Sequence, residues 1–175
     1  MLIKEKSKIS PYAYEKTKLM RKGFRCFTSL NEIIKSNFNM IPEQMGVYLI
    51  LSKNQNIRFL DNSEGGRFKG KNPVVLTDRL KENWVFQSSM LYIGKAGGPK
   101  SNSTLKKRIK QYLFFGCGKP VGHWGGRFIW QIKDNKKLIL SYKTLNKTDP
   151  RNLEKLMIAK FFKKYGRLPF ANLCR

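Results

Sequence analysis

Four side chains whose chemistry could serve catalysis lie in segments that are otherwise apolar. Tyr48 occurs in the segment GVYLILS and Tyr92 in the segment SMLYIGKA. Arg108 and Glu154 occur in two segments whose apolar residues recur with the period of an α-helix. A guanidinium or a carboxylate beside an apolar stripe loses hydration, and it is stable there only when it is paired or binds a ligand. Arg108 and Glu154 are therefore the first candidates for a functional site, whereas a tyrosine on a strand, taken alone, is more often a packing residue than a catalytic one.

Glu154 is the acid with the most unusual setting. From Leu91 onward the sequence has only three acids, Asp134, Asp149 and Glu154. Glu154 lies near the centre of the apolar arc of its helix, which consists of Leu153, Met157, Ile158, Phe161, Phe162 and Tyr165. Such a carboxylate could form a salt bridge with Arg108 or another cation, or could simply favour the positive end of its helix. It is also the best candidate for a ligand of a hard divalent ion such as Mg²⁺.

Arg108 lies at the edge of the apolar stripe of an earlier helix. That stripe consists of Leu105, Ile109, Tyr112 and Leu113, and three lysines, Lys106, Lys107 and Lys110, fall on the opposite side. The position predicts an arginine directed towards the sheet, and the alternative is a side chain that snorkels to solvent.

These candidates need short strands and helices to bring them together. Apolar, β-rich runs predict buried strands around Tyr48 and Tyr92, and Asp149-Pro150 and Gly166 predict the two ends of the last helix. The other predicted elements are helices over about 29–36, 77–84 and 103–115 and a hairpin of two strands, RFIWQIK and KLILSYK, that turns at residues 134–135. The predicted fold class is α+β, with a small, mostly antiparallel sheet of three to four strands flanked by helices.

The overall charge predicts a polyanionic partner. The 175 residues include 36 Lys and Arg against 11 Asp and Glu, which gives a formal net charge of +25. Such a charge destabilises a compact domain through self-repulsion, and nucleic acid is the commonest partner that explains it. Without an apolar run of bilayer length or a signal segment, we expect a cytoplasmic protein with no membrane partner. Three scattered cysteines, Cys26, Cys117 and Cys174, favour neither a disulfide framework nor a zinc site.

With these residues in place, the sequence resembles the GIY-YIG nuclease family over about residues 40–173. GVY, from Gly46 to Tyr48, corresponds to the first motif and YIG, from Tyr92 to Gly94, to the second. The order of the other matches is that of the family, with Lys95 after YIG, Arg108 in the next helix, Glu154 near the start of a later helix and Asn172 near the C-terminus. The two tyrosines are 92 − 48 = 44 positions apart, which is longer than usual for the family. The resemblance thus implies a basic N-terminal arm with a short helix over residues 1–40 and a nuclease-like domain over 41–175, with an insertion at about 53–88.

The resemblance implies a metal-dependent endonuclease that hydrolyses DNA phosphodiester bonds. Tyr48 would be the general base, and nearby cations such as Lys95 and Arg108 would have to lower the pKa of its phenol from about 10. Arg108 would brace the phosphate, Glu154 would bind Mg²⁺ or Mn²⁺, and Tyr92 would orient water or phosphate. Asn172 would position the C-terminal segment or the substrate.

His123 and several basic residues are secondary candidates. A family histidine often follows the arginine, but Tyr112 occupies that region here and the only histidine, His123, lies in the loop GHWGGR; His123 is therefore a secondary catalytic candidate or a loop hydrogen-bonding residue. The candidate nucleic-acid contacts are basic residues in glycine-rich loops and on the polar side of a helix, namely Lys69, Lys71, Arg127, Lys106 and Lys107.

The expected partner is duplex DNA in preference to RNA. One site per chain cuts one strand, so cutting of both strands would favour a homodimer. Two alternatives need no active site. One is a basic nucleic-acid-binding protein that keeps the fold without the chemistry, and the other is a basic protein of RNA assemblies.

Overall fold

The computed structural model describes residues 9–173 as an antiparallel sheet covered by helices on both faces. The four strands of this range are β1 (Arg25–Ser29), β2 (Gly46–Leu51), β3 (Met90–Ala96) and β4 (Ile139–Thr144), in the order β1-β4-β2-β3. The five α-helices are α1 (Pro11–Arg21), α2 (Leu30–Lys35), α3 (Thr77–Asn83), α4 (Leu105–Gly116) and α5 (Pro150–Tyr165). The α+β class with a small antiparallel sheet is thereby confirmed. Cys174 and the first eight residues of the expected N-terminal arm lie outside the described range.

The central strand β2 divides the core into two faces because side chains alternate along a strand. Tyr48 and Ile50 point into one core, whereas Val47, Leu49 and Leu51 point into the other. The second core also contains Leu19 of α1 and Ile158 and Phe161 of α5, so these two helices cover that face. The first core contains residues of α2, α3 and α4 and of the segment between β2 and β3.

The helix ends follow the capping signals in the sequence. Ser29 and Glu32 form a reciprocal capping box at the start of α2. Thr104 accepts a hydrogen bond from the Lys107 amide at the start of α4, and Asp149 accepts one from the Arg151 amide at the start of α5. These caps determine where α4 and α5 begin, and hence where their first turns lie against β2 and β3.

Two parts of the sheet differ from the prediction. The segment RFIWQ, predicted as a strand of a hairpin, is the 3₁₀ turn Arg127–Gln131, so only the second predicted strand exists, as β4. Trp130 packs against Gly116 at the end of α4, and an apolar run of this length can be buried as a turn as readily as a strand. The strand β1 was not predicted; it pairs with β4 across a bulge at Cys26 and Phe27, both of which have positive φ.

The segment between β2 and β3 is bound closely to the core. The buried amide of Gln131 accepts a hydrogen bond from the Val75 amide at 2.6 Å and donates to the carbonyls of Val75 and Leu60 at 2.9 and 3.1 Å. The Gly66 amide donates to the Phe115 carbonyl at 2.8 Å, at the end of α4. The expected insertion is therefore an ordered layer over the first core. No helix within residues 9–173 combines the length and the apolar character that crossing a bilayer requires.

Candidate active site

The pairing of β2 with β3 brings the two motif tyrosines together. Tyr48 lies opposite Gly94 in the register, and a Cβ atom on Gly94 would lie only 2.5 Å from Cζ of Tyr48. Any side chain at position 94 would clash with the ring of Tyr48, so the second motif needs glycine at this position. The centroids of the Tyr48 and Tyr92 rings are 6.0 Å apart.

The helices α4 and α5 add the charged candidates to the same place. One cavity of about 270 Å³ at the end of β3 is lined by the motif residues and their neighbours, namely Tyr48, Tyr92, Lys95, Ala96, Gly97, Ser101, Ser103, Arg108 and Glu154. Five residues that the sequence marked as catalytic candidates are thus brought together from two strands and two helices. The cavity contains phenol, ammonium, guanidinium, carboxylate and hydroxyl groups, which can bind an anion and move a proton.

His123 reaches Tyr48 from the glycine-rich loop after α4. Its Nε2 atom lies 3.3 Å from the Tyr48 hydroxyl, and its ring centroid lies 4.7 Å from that of Tyr112. Burial, with a smaller effect of the Arg108 charge, lowers the pKa of His123 to about 3, so the imidazole is neutral at pH 7. His123 is therefore a neutral hydrogen-bonding partner of Tyr48.

The environment of Tyr48 opposes the formation of a phenolate. Its side chain is fully buried, with 0% exposure. Burial raises the pKa of Tyr48 well above 10, the neighbouring Tyr92 raises it further, and Arg108 lowers it without reversing the direction. Arg108 thus acts in the expected direction, but desolvation outweighs it, so the pKa of Tyr48 in the protein alone stays above its ordinary value.

Glu154 is a half-buried carboxyl group in a cationic environment. Burial raises its pKa, and Lys95, Arg108, Arg151 and Lys155 act in the opposite direction. The ion pairs within residues 9–173 join other side chains, so the salt bridge considered as an alternative does not form there. Glu154 is also the fifth residue of α5, beyond the first turn in which a helix dipole acts most strongly.

Arg108 extends into the cavity. Its guanidinium donates to the side chain of Gln111 at 3.4 Å and to the Gly122 carbonyl at 3.5 Å. Both hydrogen bonds are long, so the guanidinium keeps donors for an anion. The contact with Gly122 also joins α4 to the loop that carries His123.

Asn172 lies on the outer edge of the sheet and does not line the cavity. Its Oδ1 accepts a hydrogen bond from the Ile93 amide at 2.9 Å and its Nδ2 donates to the Ile93 carbonyl at 2.8 Å. The Ala171 amide donates to the Leu91 carbonyl at 2.9 Å in the same row. Two roles were expected for Asn172, positioning the C-terminal segment or the substrate. Its hydrogen bonds fit the first role, because they fix the C-terminal segment against β3, the strand that carries Tyr92.

The candidate nucleic-acid contacts fall in three environments. Lys69 and Lys71 are exposed on the layer between β2 and β3, next to Phe68, whose ring lies close to Gly122. The guanidinium of Arg127 lies 4.7 Å from the centroid of the Trp124 ring. Two further candidates are on α4: Lys107 is exposed, whereas Lys106 is 3.7 Å from the carboxylate of Glu43 and so is partly neutralised.

Three further residues belong to the site. Ser101 and Ser103 line the cavity, and Tyr112 stacks on Tyr92 with ring centroids 5.7 Å apart. The sequence assigned Tyr112 to the apolar stripe of α4. Because that stripe faces the sheet, its helical spacing could have placed Tyr112 beside Tyr48 and Tyr92. The two serines precede α4 in an irregular segment with no periodic signal.

No protein-family model matches the sequence, and no curated protein or solved structure is significantly similar to the chain. The resemblance to GIY-YIG nucleases therefore stays a prediction based on its motifs. Within residues 9–173 there is also no group of three or more His, Cys, Asp and Glu side chains arranged to hold a metal ion. A divalent cation here would depend on one carboxylate together with water and substrate.

Proposed function

We propose that the protein is a metal-dependent endonuclease that hydrolyses phosphodiester bonds of DNA. The observation that carries the proposal is the single cavity lined by Tyr48, Tyr92, Lys95, Arg108 and Glu154. The first and last of these residues, Tyr48 and Glu154, are 154 − 48 = 106 positions apart in the chain. Their convergence supports a common task, and the +25 charge supports a polyanionic substrate.

The cations of the cavity would bind and polarise the scissile phosphate. Arg108 offers a planar set of donors with weak internal partners, and such donors stabilise charge that develops on phosphate oxygens. Lys95, the next-to-last residue of β3, lines the same cavity. Tyr92 keeps 8% of its surface exposed, and it would orient the phosphate or the attacking water from the open side.

Proton transfer would pass through the Tyr48–His123 pair. As the water attacks, Tyr48 takes a proton from it and transfers its own hydroxyl proton to Nε2 of His123, which is 3.3 Å away. This exchange avoids an isolated phenolate in a buried site. Burial also disfavours the imidazolium, because it holds the pKa of His123 at about 3 in the protein alone. The step therefore needs the negative charge of the bound phosphate, which favours the imidazolium and so raises that pKa. The step requires that substrate binding admits a water molecule to Tyr48, which is fully covered without substrate.

Glu154 fits the role of a ligand for Mg²⁺ or Mn²⁺. It is a partly desolvated carboxylate without an ion-pair partner in the described range, and Ser101 and Ser103 contribute hydroxyl groups nearby. Such ions often bind through one or two carboxylates, waters and substrate phosphates. When bound, the cation supplies Lewis-acid stabilisation of the phosphate and of the leaving oxygen.

The second candidate function is a nucleic-acid-binding protein without catalysis. The observation that favours it is the complete burial of Tyr48 together with its raised pKa. A protein of this kind would bind DNA with a steep dependence on salt and would cleave neither DNA nor RNA.

Plasmid nicking in Mg²⁺ distinguishes the two functions. We expect the wild-type protein to nick supercoiled DNA in Mg²⁺ or Mn²⁺ but not in EDTA. Glu154→Gln should reduce the rate by about a hundredfold or more, since one charge-stabilising group typically contributes 10²–10³. The matched control is Glu82→Gln, which removes an exposed carboxylate on α3. Cleavage that persists in EDTA and in Glu154→Gln would contradict the metal role, and tight binding without any cleavage would favour the second function.

A further inference from the structure

A second cavity adjoins the candidate active site at the end of β3. It has a volume of about 390 Å³, and its lining includes Lys95, Lys100, Ser101, Asp149 and Arg151. Lys95, Gly97 and Ser101 line both cavities, so the two spaces share a wall. The two cavities are therefore neighbours, and Lys95 can contact a ligand in either one.

The second cavity is formed by a glycine turn that lies against the start of α5. The Ser101 amide donates to the Gly98 carbonyl at 3.0 Å and closes the turn, and Gly97 has a φ of +81°, which favours glycine. A Cβ atom on Gly98 would lie 3.3 Å from Oδ1 of Asp149. Asp149 in turn accepts a hydrogen bond from the Arg151 amide at 2.9 Å. The turn and the helix are thus held in contact, with their basic side chains around one space.

The charges of this second cavity are mostly positive. Three cations, Lys95, Lys100 and Arg151, face one carboxylate, Asp149, and that carboxylate already caps α5. Lys100 and Arg151 are exposed, and neither takes part in the ion pairs among residues 9–173. Such a lining suits an anion, and an arginine with a lysine suits a phosphate group in particular.

We propose that the second cavity binds the phosphodiester next to the scissile one on the same strand. Two anion sites with a common wall match a polymer whose phosphates repeat at a regular spacing, and Lys95 would contact both groups. The position of this phosphodiester next to a scissile one rests on the proposed nuclease function. The binding of a phosphodiester by Lys100 and Arg151 does not depend on cleavage.

Salt-dependent binding of duplex DNA tests the site without catalysis. All measurements use EDTA and the Glu154→Gln background, and the test variant is Lys100→Gln with Arg151→Gln. We expect affinity to fall about ten- to a hundredfold, the range for lost charge-assisted hydrogen bonds, and the slope of log K against log salt to fall by about 1. The control, Lys160→Gln with Lys163→Gln, removes two exposed charges from α5 outside both cavities and should leave the slope unchanged.

Each outcome decides between local contact and general attraction. An equal change in the test and control variants, or no change in either, overturns the proposal. The double variant Lys100→Arg, Arg151→Lys keeps both charges and should restore most of the affinity. This result would show that the test variant loses a contact and does not simply fail to fold. If the test variant lowers the slope but wild-type protein cleaves no DNA, the phosphate site stands and the nuclease function fails.

A neutral phosphate analogue locates the contact once a cleavage site is mapped. A methylphosphonate placed next to the scissile phosphate, on one side and then on the other, removes one charge from the strand. We expect one of the two positions to slow cleavage by wild-type protein about tenfold, and to slow cleavage by the Lys100→Gln, Arg151→Gln variant no further. Additive losses at both positions would show that the analogue and the side chains act at different places, and would overturn the assignment.

Discussion

The two faces of the sheet are built from the same strands but differ in chemistry. The face towards α1 and α5, which we call the aliphatic face, contains Val47, Leu49 and Leu51 of β2. The opposite face, which we call the phenolic face, contains Tyr48 of the same strand together with Tyr92, Tyr112 and Trp130. Neighbouring residues of β2 thus lie in different surroundings. One set packs in an apolar core, and the other lies among aromatic rings that carry polar atoms.

The phenolic face also contains polar atoms that lack partners. The Tyr112 hydroxyl, Nδ1 of His123 and Nε1 of Trp130 are buried without a hydrogen bond in the described part of the chain. Each such atom destabilises the folded state by about 1–3 kcal/mol relative to a satisfied one. These atoms offset part of the stability that the phenolic face gains from its large apolar core, which is the pattern expected when a face carries the proposed chemistry.

The largest expected effect comes from removing the Tyr48 hydroxyl. Tyr48→Phe should lower DNA cleavage about 10²- to 10⁴-fold, the usual contribution of a general acid–base group, while the fold is retained because the ring stays. Cleavage rates per folded molecule measure the effect. Tyr112→Phe is the matched control, because its ring centroid is 6.2 Å from that of Tyr48. An equal loss in both variants would show that the face as a whole, and not Tyr48, matters for the reaction.

The next largest effect is on stability and concerns the aliphatic face. Leu49 is completely buried, so Leu49→Ala should lower the free energy of unfolding by about 2–5 kcal/mol. Urea denaturation measures this change, and cleavage per folded molecule should remain near the wild-type value. Leu49→Met, which conserves volume, should cost less than about 1.5 kcal/mol. A specific loss of cleavage in Leu49→Ala would contradict the separation of the two faces.

A smaller effect is a dependence of stability on pH that comes from His123. Its pKa is about 3 in the folded protein and about 6.5 in an unfolded chain. Between these values the unfolded state binds the extra proton, so stability increases with pH by up to about 1.4 kcal/mol per pH unit and is lost as pH falls.

Denaturation of wild-type protein and of His123→Gln at several pH values measures this contribution as a difference. The subtraction is needed because the raised pKa of Glu154 acts with the opposite sign. A wild-type slope that persists unchanged in His123→Gln would place the titrating group elsewhere.

The smallest effect is a gain in stability from Tyr112→Phe. The substitution removes a buried hydroxyl that has no hydrogen-bond partner, and we expect the free energy of unfolding to rise by about 1 kcal/mol. Thermal or urea denaturation measures the change. A loss of stability would show that a water molecule satisfies this hydroxyl and that the phenolic face is less costly than described.

Local signals predicted most of the scaffold. The strands around Tyr48 and Tyr92 and the helix caps at Ser29 and Asp149 agree with the structure, because periodicity and capping depend on residues close in sequence. The segment RFIWQ was assigned wrongly since its burial comes from α4 and the segment after β2. The missed strand β1 depends on backbone angles at Cys26 and Phe27 that side-chain type does not indicate.

The candidate site was predictable to the extent that its residues conflicted with their surroundings. Arg108 and Glu154 stood out as charges near apolar stripes, and both line the cavity. The contact between His123 and Tyr48 joins residues 75 positions apart, through a loop whose path has no periodic signal. The pKa of Tyr48 was also not predictable, because it depends on burial by side chains from distant segments.

The amide of Asn172 imitates a peptide group, since it both accepts from and donates to Ile93 as a neighbouring strand would. Ile93 is separated from it by 79 positions. During synthesis on the ribosome, the strand that carries Tyr92 therefore emerges long before its outer edge can be covered. We expect nascent chains that stop before Asn172 to leave this part of the strand edge open, and the proposed nuclease to become active only after this segment has been made.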